Sequence, residues 1–191
     1  VLRFLIALWG ISGLCYILFR AVERLTPIAL EPILDGSMGP GHWAFFAVWV
    51  TYMGFYEGWR GFHKRVGPRT ATRAFYLANK RPPLHLLFAP IFCMALYHAS
   101  RKTLIVRWSL VAGIVTLVVL IRQVPQPWRG IVDAGVVLGL GMGLCSVVYF
   151  FVRGLTGDVA ELTDLPEAAA SELRAESVLA LLVVDLLVGK R

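Results

Sequence analysis

Apolar residues in this chain fall in long blocks instead of alternating with polar ones. Five blocks approach the roughly 20 residues that an α-helix needs to cross a bilayer core of about 30 Å. They are Leu2 to Phe19, Trp43 to Trp59, Leu84 to Ala99, Leu104 to Ile121 and Ile131 to Val152. This pattern predicts an all-α fold, a polytopic integral membrane bundle of about five transmembrane helices. The third block has only 16 residues and carries Pro90 near its middle, so four crossings plus a re-entrant segment is the alternative. No small-residue cleavage site follows the first block, where Phe19 leads into Arg20, Ala21, Val22 and Glu23. It is therefore expected to stay as a helix, not to be removed as a signal peptide.

The segments between blocks predict the remaining elements. Residues 20–42 hold Pro27, Pro32, Pro40, Gly36, Gly39 and Gly41, a density of breakers that predicts an irregular cap. Residues 68–81 open with Pro68, place Ala71, Ala74, Phe75, Leu77 and Ala78 among basic residues, and stop at Pro82-Pro83. That pattern predicts a basic interfacial helix. The bundle is expected over residues 1–153, with an acidic, amphipathic C-terminal tail over 154–191. In that tail Asp164 and Glu167 resemble a capping box, and Val178 to Val188 is an 11-residue apolar run interrupted by Asp185. The run is too short to span and must be covered by something, so residues 176–191 are an expected contact for a partner. Tryptophans, which favour the headgroup level, mark the block ends: Trp43, Trp59, Trp108 and Trp128.

Composition strengthens the membrane reading. Of 191 residues 58% are apolar and 16% charged, with a mean hydropathy of +0.69, against about a quarter charged in an average soluble domain. Cys15, Cys93 and Cys145 all lie inside apolar blocks, which argues against a disulfide-stapled secreted domain. The net charge is +7, and Arg60, Lys64, Arg65, Arg69, Arg73, Lys80 and Arg81 alone account for it, with no acidic residue among residues 60–83. Between two predicted spans such a patch suits anionic lipid headgroups better than nucleic acid. Lys64, Arg65, Arg69, Arg73, Lys80 and Arg81 are the candidate headgroup contacts. Counting Lys and Arg in the short loops places ten on the side of the N-terminus and five on the other. The expectation is a multi-pass protein of a bacterial inner membrane with a cytoplasmic N-terminus.

The chemistry read from sequence is sparse. The centres of the five blocks, around Gly10, Thr51, Phe92, Gly113 and Met142, hold no ionisable residue. Glu57, Arg60, His85 and Asp133 lie near block ends and form a candidate polar cluster, either a headgroup or proton pocket or a set of inter-helix ion pairs. His85 and His98 are 13 residues apart on one block, about 20 Å along a helix at 1.5 Å per residue, so they cannot share a metal. Either could serve as an axial ligand to haem or chlorophyll; no other cofactor and no metal site is expected. The sequence contains no CxxC, HExxH, GxSxG or Walker pattern. Gly54 and Gly58, and Gly135, Gly139 and Gly143, recur every four residues, which predicts flat strips for close helix packing. These features lead to the expectation of a non-catalytic accessory, scaffold or assembly subunit of a larger membrane complex, with glycine-lined helices available to other subunits. The alternatives are a small transporter or lipid-handling protein using the Glu, His and Asp cluster, and a haem- or pigment-binding subunit.

Overall fold

The computed structural model describes residues 2–80, 88–97 and 99–155. Within them the chain is an all-α helical bundle: α1 (Leu2–Leu34), α2 (Pro40–Met53), a π-helix (Gly54–Val66), α3 (Gly67–Lys80), a short α4 (Ala89–Cys93), α5 (Arg101–Ile121) and α6 (Trp128–Leu155). Among the described residues, three helices are long and apolar enough to cross a membrane: Phe4–Leu34, Arg101–Ile121 and Trp128–Leu155.

Helix α1 corrects the expected cap over residues 20–42. It runs on through Pro27 and Pro32 to Leu34, and the turn that follows contains Gly36 at a φ of +65°, a conformation open to glycine. Proline removes one intrahelical donor, so Pro32 leaves the carbonyl of Ile28 without its partner. Gln126 supplies the replacement: Nε2 donates to Ile28 O at 3.3 Å and to Glu31 Oε2 at 2.7 Å, while Oε1 accepts from Gly130 N at 2.9 Å. Pro32 itself is fully buried against Gly130 at the start of α6, where an added Cβ would lie 2.5 Å from its Cγ. Because Gln126 satisfies three groups on two elements, Gln126→Ala is expected to cost about 1–3 kcal/mol. Gln126→Glu, which sets a second carboxylate against Glu31, should cost more, as read from thermal unfolding in detergent.

Ring and glycine contacts set the topology. Phe4 lies 6.1 Å from Phe151 and Pro32 meets Gly130, so α1 runs antiparallel to α6. Residues 40–80 form one uninterrupted helical path whose Trp49, Glu57 and Phe62 meet Gly135, Gly139 and Gly143 in turn, so this path runs parallel to α6. Both glycine rows are thus occupied inside the chain: Gly54 and Gly58 receive Leu138 and Met142, while Gly135 receives Trp49 and Met53. The buried core gathers Ile6, Ile11 and Leu14 of α1, Leu77 of α3, Phe92 of α4, and Val147 and Phe151 of α6.

The described part of the third apolar block, residues 88–97 and 99, forms no spanning helix. It holds the five-residue α4, after which Ala95 takes a φ of 57° and Leu96 N donates back to Ile91 O at 3.2 Å. Ala89, Phe92, Cys93 and Ala95 are apolar because they plug the core against α1 and α3. Cys93 Sγ lies 2.7 Å from where a Cβ on Gly10 would be. In contrast, none of the 21 residues of α5 is buried.

Candidate functional site

A cavity of about 840 Å³ lies between α1, the end of α2, the π-helix, α5 and α6, within the usual range of about 300–1,000 Å³ for ligand sites. Its walls are apolar: Leu25 and Ile28 from α1, Ile114 and Leu117 from α5, Val136 and Leu140 from α6. Into this space come four arginines, Arg20, Arg24, Arg122 and Arg129, and three carboxylates, Glu23, Glu57 and Asp133.

The helix geometry puts some of these charges deep. Arg20 lies two residues past the midpoint of α1, and 12 residues separate it from Pro32 at the bundle end, about 18 Å along the axis. Glu57 packs on Gly139, where an added Cβ would meet its Oε2 at 2.9 Å, and Gly139 is near the middle of α6. The centres of the five blocks hold no ionisable residue; what changes is the extent of α1, whose middle falls near Arg20. Ending the first span at Phe19 had placed Arg20 and Arg24 at a surface, but α1 continues and brings them beside Glu57 and Asp133.

Local contacts order the site. Arg20 Nη1 and Glu23 Oε2 pair at 2.6 Å. Arg129 Nε and Asp133 Oδ2 stand 3.8 Å apart, too far for a hydrogen bond. Both atoms are buried and have no hydrogen-bond partner among the described residues. Arg24 and Arg122 are exposed to the cavity side and form no ion pair with a described residue. The π-helix contributes to placing Glu57, since its wider turn rotates successive side chains differently from an α-helix.

The sequence-derived candidates separate on this framework. Glu57 and Asp133 share the cavity; Arg60 is exposed and does not line it, because three positions along a π turn carry a side chain further off the face of Glu57. His85, His98, Arg81 and residues 176–191 lie outside the described residues. Lys64, Arg65 and Arg69 are exposed, and Lys80 closes α3. Arg73 corrects the interfacial reading of this helix: it is 0% exposed, and α3 packs on α1, α4 and α6 where a surface helix would meet headgroups. Gly54, Gly58, Gly135, Gly139 and Gly143 line internal helix contacts.

Arg20, Glu23, Arg24 and Arg122 were missed as site residues. Their signal was the i, i+3, i+4 spacing of Arg20, Glu23 and Arg24, which marks one face only if the helix extends past Phe19. Comparison with protein families, curated proteins and solved structures found no match to this chain.

Proposed function

We propose that this chain is a lipid-handling membrane protein that holds an amphipathic ligand between α5 and the α1–α6 pair. The observation that carries the reading is the cavity itself, about 840 Å³ with apolar walls and four arginines. A gap of that size at bilayer depth fills with an acyl chain or another helix, and arginines facing it favour a filler with an anionic end. The cavity brings charged side chains together, and the glycine rows are used internally. The expectation of a scaffold role, which rested on sparse chemistry and on glycine-lined helices available to other subunits, weakens accordingly.

The same reading places four crossings, α1, the path over residues 40–80, α5 and α6, in a bacterial inner membrane with the N-terminus cytoplasmic.

Native mass spectrometry of protein extracted in mild detergent tests the proposal. A retained adduct of lipid mass, at about one per chain, is expected. A chain that flies bare under conditions preserving lipid adducts on a control membrane protein overturns it. A second reading, the accessory subunit, is favoured by α5, none of whose residues is buried. A stoichiometric protein partner on a native gel, lost with α5 substitutions, would establish it.

A further inference from the structure

Arg60, Lys64, Arg65 and Arg69 are exposed, and none of them forms an ion pair with a described residue. They stand four and five residues apart along the π-helix and the first turn of α3. The i→i+5 bonding of a π-helix brings residues at these spacings onto one face. The four cations therefore make one stripe, no more than about 14 Å long at 1.5 Å per residue. Lys64 Nζ lies 5.9 Å from the ring centroid of exposed Trp59, a contact that leaves its charge unneutralised.

The chain's own carboxylates that could answer this stripe lie in one place. Among the described residues Glu23 pairs with Arg20, Glu31 accepts from Gln126, Asp133 stands beside Arg129 and Glu57 packs on Gly139. Asp35 follows α1 at the end away from Phe151. The other acidic residues all come after Leu155. Six of them, Asp158, Glu161, Asp164, Glu167, Glu172 and Glu176, share residues 156–176 with a single cation, Arg174.

The last turns of α6 deliver that stretch to the stripe. Phe150 Cδ2 lies 2.8 Å from where a Cβ on Gly67 would be, and Gly154 packs on the Phe75 ring, which stacks on Phe151 at 5.5 Å. Gly67 falls between Arg65 and Arg69. The chain thus leaves α6 beside the stripe, at the same end of the bundle and on the same side of a membrane it crosses. Asp158 follows Leu155 by three residues and Glu167 by twelve, within about 11 and 43 Å of extended chain. A tether this short gives a weak contact an effective concentration on the order of millimolar.

We infer that residues 156–176 dock on the stripe formed by Arg60, Lys64, Arg65 and Arg69 and there exclude anionic lipid headgroups. The contact is electrostatic and screened by salt, and it holds whatever fills the cavity.

The test is zero-length carbodiimide coupling of the full chain in phosphatidylcholine nanodiscs at low salt, mapped by peptide mass spectrometry. Lys64 supplies the amine of the stripe, and Lys102, exposed at the start of α5, is the reference. Coupling of Lys64 to residues 158–176 is expected to exceed that of Lys102 about fivefold, the discrimination that exposed ion pairs can supply, and to lose the excess at high salt. Arg60→Gln, Arg65→Gln and Arg69→Gln together should also remove it. Should that variant lose its folded elution profile, a second one changes nothing in the described bundle. Asp158→Asn, Glu161→Gln, Asp164→Asn and Glu167→Gln together should remove the excess as read at Glu172 and Glu176. The same acidic-residue variant should raise retention of phosphatidylglycerol from mixed-lipid discs severalfold in native mass spectrometry.

Equal coupling of Lys64 and Lys102, or an excess that survives loss of the three arginines, would overturn the docking. Phosphatidylglycerol retention that ignores the acidic residues but disappears with the three arginines would overturn it in favour of a stripe that meets headgroups directly.

Discussion

Replacing Gly135 and Gly143 together by leucine is expected to abolish the folded bundle, while Gly141→Leu leaves it nearly unchanged. A Cβ on Gly135 would lie 2.5 Å from Trp49 Nε1 and 2.9 Å from Met53 Cγ, and one on Gly143 would lie 2.7 Å from the Phe62 ring. Neither neighbour can yield cheaply. Trp49 is held by its hydrogen bond to Val132 O at 3.2 Å and lies between Phe45 and Tyr52 at centroid separations of 6.2 and 5.9 Å. Overpacking a tight contact costs roughly 1–3 kcal/mol per site, and two sites eight residues apart, about 12 Å along the helix, should nearly add. The combined loss is comparable to the whole stability of many domains. A Cβ on Gly141 would meet nothing within 4 Å, so this position controls for glycine's helix propensity, which alone would favour the substitution by up to about 1 kcal/mol. The measurement is the thermal midpoint and monodisperse fraction in detergent. Equal behaviour of the Gly141 and Gly135 variants would refute the packing assignment.

The α-helical class was legible because apolar blocks near 20 residues have few other solutions. Helix extent was not, and the reason lies in contacts distant in sequence. Pro32 reads as a breaker until Gln126, 94 positions later, donates to the carbonyl that the proline releases. The third block read as a span because its apolarity has two explanations, lipid or core, and the block alone does not distinguish them. Its small residues fit against Gly10 of α1, and Pro90 meets Gly13, which makes it a plug. The glycine strips were legible as packing surfaces from their four-residue period. The partner of each strip depends on the parallel register of residues 40–80 with α6, a tertiary fact. In the site, Glu57 and Asp133 were singled out as charges near the ends of their blocks. Arg20, Arg24 and Arg122 were not, since block ends at Phe19 and Ile121 assigned them to the water phase. The cavity exists only because α5 stands off from α1 and α6.

Arg73→Ala is expected to cost about 1.5–3 kcal/mol, the range for losing hydrogen bonds made by a charged group, and to release the segment at residues 88–97 from the bundle. Arg73 sits in a run of small and hydroxylated residues, Thr70, Ala71, Thr72 and Ala74, all buried, which lets α3 approach its neighbours closely. From there its Nε donates to Phe92 O at 2.7 Å and its Nη2 to Tyr97 O at 3.2 Å, with Cζ 4.3 Å from the Phe92 ring centroid. The guanidinium thereby holds both ends of the turn that follows α4 and adds a cation–π contact. Alanine would leave two carbonyls without this donor and a void where the stem lay. Lysine would keep the charge but, as a point donor lacking the planar fork, it cannot reproduce the same pair of bonds and stacking; it should recover only part of the loss. The order expected for thermal midpoint is wild type, then Arg73→Lys, then Arg73→Ala. Chymotrypsin cleavage at Phe88, Phe92 and Tyr97 should rise in the reverse order. Cleavage and midpoint unchanged in Arg73→Ala would show that Arg73 does not anchor this turn. Its placement would then have to be explained by charge at the membrane surface, where the amphipathic pattern of residues 68–81 first suggested it belonged.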